Sequence, residues 1–274
     1  MVIKFMVENI LYNPLALVLI ATGFTWLMTA LGASTVFFTK KISRKSLDAA
    51  LGFAAGVMVS VSFWGLLLPA VEMSANSGIP SWLPPTSGFI LGAVFLGLTD
   101  RILPHLHPGC PIYQAEGIQT TWKRNRLLIL AMVLHHLPEG LAIGVAFAAS
   151  TIAFSIPTLT AAITLAIGIG IHNVPEGMIV AMPLRAEGKS PLKSFGYGQL
   201  SGMVEPLAAL LGFSLITISQ PILPYALGFA AGSMIYVAIE ELIPECQRGA
   251  NTDLATMSLI IGFSLMMVLN VAFG

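Results

Sequence analysis

Eight apolar runs, separated by short polar gaps, leave this chain few ways to fold except across a lipid bilayer. A helix needs about 20 apolar residues to cross hydrocarbon about 30 Å thick. Runs of that order lie near 15–38, 47–71, 87–103, 127–149, 157–183, 192–218, 221–244 and 254–273, the third being the shortest. Only 9% of the 274 residues are charged and 56% are hydrophobic, against about 25% charged in an ordinary soluble domain. The pattern predicts an all-α integral membrane protein, a single transmembrane domain over 1–274 with eight helices. A net charge of zero and the lack of a basic patch argue against nucleic acid as a partner. The lipid bilayer is the expected surroundings.

Basic residues collect on the cytoplasmic side of membrane proteins, and here they fall in alternate gaps. Lys40, Lys41, Arg44 and Lys45 lie in the first, Arg101, Lys123, Arg124 and Arg126 in the third, Arg185, Lys189 and Lys193 in the fifth, and Arg248 in the seventh. Twelve of 13 basic residues follow this alternation, with Lys4 the exception. Both termini are therefore predicted outside. The first span resembles a cleavable leader only in the small residues Ala30-Leu31-Gly32-Ala33; it lacks a basic start and its apolar run is too long. Cys110 and Cys246 fall in gaps three and seven, where a reducing compartment favours free thiols.

The chain also repeats itself. Ala50-Leu51-Gly52-Phe53-Ala54-Ala55-Gly56 in span two recurs as Ala226-Leu227-Gly228-Phe229-Ala230-Ala231-Gly232 in span seven, with Met58 and Met234 two places beyond. Spans of opposite parity cross in opposite directions, so the repeat is inverted. Spans one to three then mirror six to eight around a central pair, four and five. Inverted repeats mark secondary transporters, whose substrate site lies at the midplane between the halves. Close packing alone explains the glycines, but not seven identities in a row.

The central pair carries the chemistry. Leu134-His135-His136-Leu137-Pro138-Glu139-Gly140 and Ile171-His172-Asn173-Val174-Pro175-Glu176-Gly177 each set His and Glu four residues apart in an apolar stretch. Residues three and four apart share a helix face, so each motif offers one face of ligands. An ionisable group at the centre of a spanning helix costs at least ~3 kcal/mol, and a divalent cation between the helices offsets that cost most simply. Pro138 and Pro175 remove backbone donors, predicting a local break in each helix, and Gly140 and Gly177 allow close approach of a neighbour. Glu205, in Gly202-Met203-Val204-Glu205-Pro206, adds a third carboxylate in span six. Imidazole with carboxylate suits zinc, iron or manganese. Glu139, Glu176 and Glu205 suffice to bridge two ions, with His135 and His172 on one and His136 and Asn173 on the other. Met58 is a softer candidate for the second ion, though methionine is usually a gap-filler. Helix-to-helix hydrogen bonding is the plain alternative for one His–Glu pair; two copies plus Glu205 exceed it.

Toward the cytoplasmic mouth, Asp100, His105, His107, Glu240 and Glu241 predict an acidic, imidazole-bearing exit funnel that gathers cations. Snorkelling helix ends are the alternative for Glu240 and Glu241. Glu72, at the outer end of span two, is either a metal-gathering group or a solvent-facing terminus.

Two H-x-x-P-E-G motifs, the M-x-E-P-like segment at Glu205 and eight spans together resemble the ZIP (Zrt/Irt-like) metal-ion transporters over the whole chain, particularly their short prokaryotic members. The resemblance implies uptake of zinc, with iron, manganese or cadmium as further cargoes, through a binuclear centre in the cell (plasma or inner) membrane. It implies a homodimer in which spans one, four, five and six slide against spans two, three, seven and eight. By motif, His135, Glu139, His172, Glu176 and Glu205 correspond to the primary position; His136, Asn173, Met58 and the three shared glutamates correspond to the second. His136 stands where the family more often has Asn, and the third gap lacks a long histidine-rich loop. The rival readings are an intramembrane metal-dependent hydrolase and a passive metal channel. No H-E-x-x-H occurs for a zinc protease, and the order His-x-x-x-Glu reverses the Glu-x-x-His of di-iron bundles.

Overall fold

In the computed structural model, residues 13–75, 78–106, 112–153 and 156–273 are described. They form eight helical segments: α1 Pro14–Ala33, α2 Arg44–Ser74, α3 Leu83–Ile102, α4 Arg124–Ala153, α5 Ile156–Ala186, α6 Pro191–Ile218, α7 Gln220–Gln247 and α8 Thr252–Phe273. Seven of these, all but α3, are long and apolar enough to cross a membrane. Short polar signals start them. Asn13 accepts from the Ala16 amide ahead of Pro14, Ser43 caps α2 through the Ser46 amide, and Ser190 caps α6 through that of Lys193; each satisfies an amide without an intrahelical partner.

Glycine determines how the helices pair. A Cβ at Gly52 or Gly56 of α2 would meet the backbone of Ala255 or Leu259 on α8, and one at Gly228 or Gly232 of α7 would meet that of Pro85 or Phe89 on α3. Gly140 and Gly144 of α4 face Glu205 and Ala209 of α6, while Gly170 and Gly177 of α5 face Phe24 and Thr29 of α1. In each pair residue numbers rise together, so the partners run parallel. The tight pairs are therefore α1/α5, α2/α8, α3/α7 and α4/α6, and α3 lies along a helix able to span the membrane. Small residues bring backbones together where lipid supplies no hydrophobic drive.

Prolines act differently at different places. Helices α4 and α5 run unbroken through Pro138 and Pro175, so the expected breaks there do not occur: a single lost amide is tolerated inside a tightly packed bundle. Pro206 does interrupt α6. Its missing N–H and ring clash act on the carbonyl of Gly202, which accepts from the Glu205 amide at 3.1 Å instead, and helix resumes only at Val204. Two π-helical segments, Val61–Leu67 in α2 and Ala238–Leu242 in α7, end just ahead of Pro69 and Pro244.

Helix α5 is the most enclosed, α4 and α2 follow it equally, and α1 and α8 are the least enclosed. Outward-facing leucines and isoleucines such as Leu27, Leu31, Ile260 and Ile261 suit lipid. At one end an ionic cluster binds three helix termini: Arg44 meets Asp48 at 2.6 Å and Glu245 at 2.7 Å, Arg248 meets Glu245 at 3.1 Å, and Asn251 donates to Asp48 at 3.0 Å. This joins the start of α2 to the end of α7 and the start of α8.

Candidate metal centre

Three helices bring ionisable groups together near their midpoints. His135, His136 and Glu139 come from α4, His172, Asn173 and Glu176 from α5, and Glu205 from the first turn after the break in α6; all seven are buried. Among the described residues the ion-pair partners of the three carboxylates are histidines alone. Buried carboxylates without a cation are strongly unfavourable.

The ligand atoms fall into two adjoining sets. His135, Glu139 and Glu176 offer atoms within 4.8 Å of one another, and His136, Glu139 and Glu205 do the same, with Glu139 common to both. His135 Nε2 lies 3.4 Å from Glu176 Oε1, and His136 Nε2 lies 3.3 Å from Glu176 Oε2. Two ligands on a tetrahedral zinc stand about 3.3 Å apart, given its ordinary bond lengths, so these gaps suit a shared ion. His172 Nε2 is 3.0 Å from Glu139 Oε1. His136 Nε2 is 3.7 Å from Glu205 Oε1, and the Asn173 amide donates to that oxygen at 2.8 Å. Glu205 thus sits with His136 and Asn173.

Many of these atoms lack a hydrogen-bond partner: both ring nitrogens of His135, His136 Nε2, Glu139 Oε2, Asn173 Oδ1 and both oxygens of Glu176 are buried without one. Such orphans are rare in folded proteins, and here they converge. The His136 ring is fixed by its other nitrogen, with Nδ1 2.6 Å from the Met132 carbonyl. That bond selects the tautomer presenting Nε2 to the carboxylates, the usual arrangement behind a metal-ligating histidine.

The remaining candidates are spread more widely. Met58 is fully buried on α2. Glu241, half-buried in the π-helical turn of α7, reaches His135 Nδ1 at 3.4 Å, whereas Glu240 is exposed. Asp100 is engaged with His105 Nε2 at 2.8 Å, and His105 is held further by the Leu103 carbonyl and a backbone bridge to Glu116. His107 and Cys110 lie outside the described residues. Glu72 is exposed at the far end of α2. Sequence reasoning passed over Thr25, whose hydroxyl donates to Glu205 Oε2 from α1. Its one signal is a hydroxyl stripe in an apolar helix, Thr22, Thr25 and Thr29, all buried.

A bundle of membrane-crossing helices with two contiguous sets of buried imidazole and carboxylate ligands is a metal-handling membrane protein. The chain belongs to the ZIP zinc transporter family: that family's model matches residues 113–270. It is similar to zinc transporter ZIP11 of Homo sapiens, 39% identical over 93% of this chain and 97% of that protein. It also resembles zinc transporter GufA of Myxococcus xanthus, 37% identical over 93% of this chain and 98% of that one, and zinc transporter ZIPB of Bordetella bronchiseptica, 36% identical over 93% and 80% respectively.

Proposed function

We propose that this chain carries zinc across the membrane into the cytoplasm through a binuclear centre on α4, α5 and α6. The observation that carries the reading is the set of orphaned, converging ligand atoms at mid-helix depth. On this reading one ion is held by His135, His172, Glu139 and Glu176, the other by His136, Asn173 and Glu205 with the two shared glutamates. Met58 contributes a thioether from α2. Iron, manganese and cadmium are the further cargoes the donor set admits.

Transport proceeds by alternating access, with α1, α4, α5 and α6 moving as a unit against α2, α3, α7 and α8. The support is in the packing: wherever a helix glycine meets the backbone of another helix, both helices belong to the same unit, whereas Gly168 of α5 meets only the side chains of Met266 and Val61 on the other unit. Between the units runs an apolar groove of about 550 Å³, lined by residues including Leu91, Phe95, Leu137, Leu211 and Phe229. Glu241, on the opposite unit from His135, receives metal leaving the centre, and protonation of a shared glutamate weakens the site for release, since ligands bind metal deprotonated. The protein works as a homodimer in the cell membrane, crossing it eight times with both termini outside.

Zinc uptake into proteoliposomes tests this directly. Glu139→Ala and His172→Ala are expected to reduce uptake to background, and wild-type rates in either variant would remove these residues from the pathway. A saturable rate separates a carrier from a passive channel, and turnover of a substrate in detergent without metal flux would instead support a hydrolase.

A further inference from the structure

Glu205 is held from two other helices. Thr25 on α1 is fully buried and its hydroxyl donates to Glu205 Oε2. Asn173 on α5 donates to Glu205 Oε1 at 2.8 Å, and the same amide reaches the Thr25 carbonyl at 3.3 Å. Both carboxylate oxygens are thereby engaged, and only Oε1 also faces His136 Nε2, at 3.7 Å.

The hydroxyl cannot drift from this place. Gly32 packs on the Val174 backbone and Gly177 on that of Thr29, which locks α1 against α5, and Gly202 at the break in α6 lies against the Thr29 side chain. Thr29 and Thr22 hydroxyls bond carbonyls one turn back on their own helix, at 3.3 Å to Thr25 and 2.8 Å to Val18. The Thr25 hydroxyl also lies 3.1 Å from the Thr22 carbonyl, but it alone in this stripe reaches out of its helix to a carboxylate.

We infer that Thr25 is a positioning residue that fixes Glu205 in a one-oxygen mode and thereby sets cation choice at the second position. With Oε2 occupied by the hydroxyl, Glu205 turns a single oxygen to the ion. A single oxygen suits a small cation with few ligands, such as zinc. A larger cation takes more ligands and accepts both oxygens of a carboxylate, so releasing Oε2 favours it. The inference rests on Glu205 being a ligand of the second ion.

The test is zinc and cadmium binding to the purified full-length protein by calorimetry, in the wild type, Thr25→Val and Thr25→Ser. Valine keeps the shape and removes the hydroxyl; serine keeps the hydroxyl and removes the methyl. T25V is expected to shift the cadmium-to-zinc affinity ratio of the second position toward cadmium by about tenfold, the scale of losing a group that orients a ligand, while T25S keeps the wild-type ratio. An unchanged ratio in T25V, or a shift in T25S as large as in T25V, overturns the assignment; T25A gives the same reading should T25V not fold. Glu205→Ala must abolish the second binding step, and a wild-type curve there overturns the ligand reading itself. Absent zinc flux in wild-type proteoliposomes would sink the transport reading while leaving the binding ratio as evidence on Thr25.

Discussion

His136 couples a helix carbonyl to the buried carboxylates through one ring: Nδ1 is tied to Met132, and Nε2 stands 3.3 Å from Glu176 and 3.7 Å from Glu205. Replacing it by Asn removes the imidazole and leaves an amide oxygen, a poorer zinc donor. His136→Asn is therefore expected to weaken the second zinc by about tenfold or more while the first, built on His135 and Glu139, binds as before; two-site calorimetry reads both. Outside the spans, His105 gives a pH signature. Burial opposes its protonation, but the Asp100 carboxylate and Leu103 carbonyl outweigh that and raise the ring to about 9. Because the folded value lies above the ordinary 6.5 or so, the pair stabilises fully below that pH and its contribution is lost as pH rises through about 9. Melting temperature should fall across that window in the wild type and lose this dependence in His105→Gln. The seven buried groups of the centre were legible in sequence because ionisable residues inside apolar runs are costly and these recur at helical spacing. Thr25 was not, since a hydroxyl in a membrane helix ordinarily satisfies itself on a carbonyl one turn back.

Among elements, the same proline chemistry has three outcomes, and the surroundings decide which. Pro138 and Pro175 leave α4 and α5 unbroken, Pro206 interrupts α6 at Gly202 and Met203, and Pro69 and Pro244 follow π-helical turns. The break at Gly202 matters most, because it sets Glu205 in a first turn that α1 and α5 can reach. None of this was readable from the prolines themselves: the lost amide is local, whereas the neighbours that absorb it arrive from distant sequence. Start points were similarly displaced, as α3 begins at Leu83, ahead of the apolar run from 87, because Pro84 and Pro85 are well placed in a first turn. Glycine spacing, by contrast, marked contact faces correctly. Gly56 and Gly232 occupy equivalent places in the repeat, each against a partner backbone, Leu259 and Phe89. Gly56→Val and Gly232→Val should each destabilise by about 1–3 kcal/mol or more from overpacking. Thermal melts in detergent check this, and a loss at one site with none at its counterpart would contradict their equivalence.

Across the whole molecule, exchanging α1–α3 for α6–α8 and α4 for α5 turns the pair α1/α5 into α6/α4 and α2/α8 into α7/α3. The four observed pairs are carried onto one another by this exchange. What sequence left out is how the two units meet, because an interface of unlike helices leaves no periodic mark. The groove between them is lined by apolar groups from α3, α4, α6 and α7, so relative motion breaks no ionic contact along that surface. Leu211 lies on the α6 wall and is more than half exposed, leaving room for a bulkier side chain in the fold. If the units slide, Leu211→Trp wedges the groove and raises the barrier to movement without touching a ligand. Uptake should slow by about tenfold for a barrier increase of about 1.4 kcal/mol, within the usual cost of overpacking, while zinc binding in detergent keeps its affinity and stoichiometry. Leu211→Ala, which only opens the groove, should leave uptake close to wild type. Equal rates for the Trp and wild-type proteins would place the moving boundary elsewhere, and a loss of binding alongside rate would mean that the wall supports the centre rather than the motion.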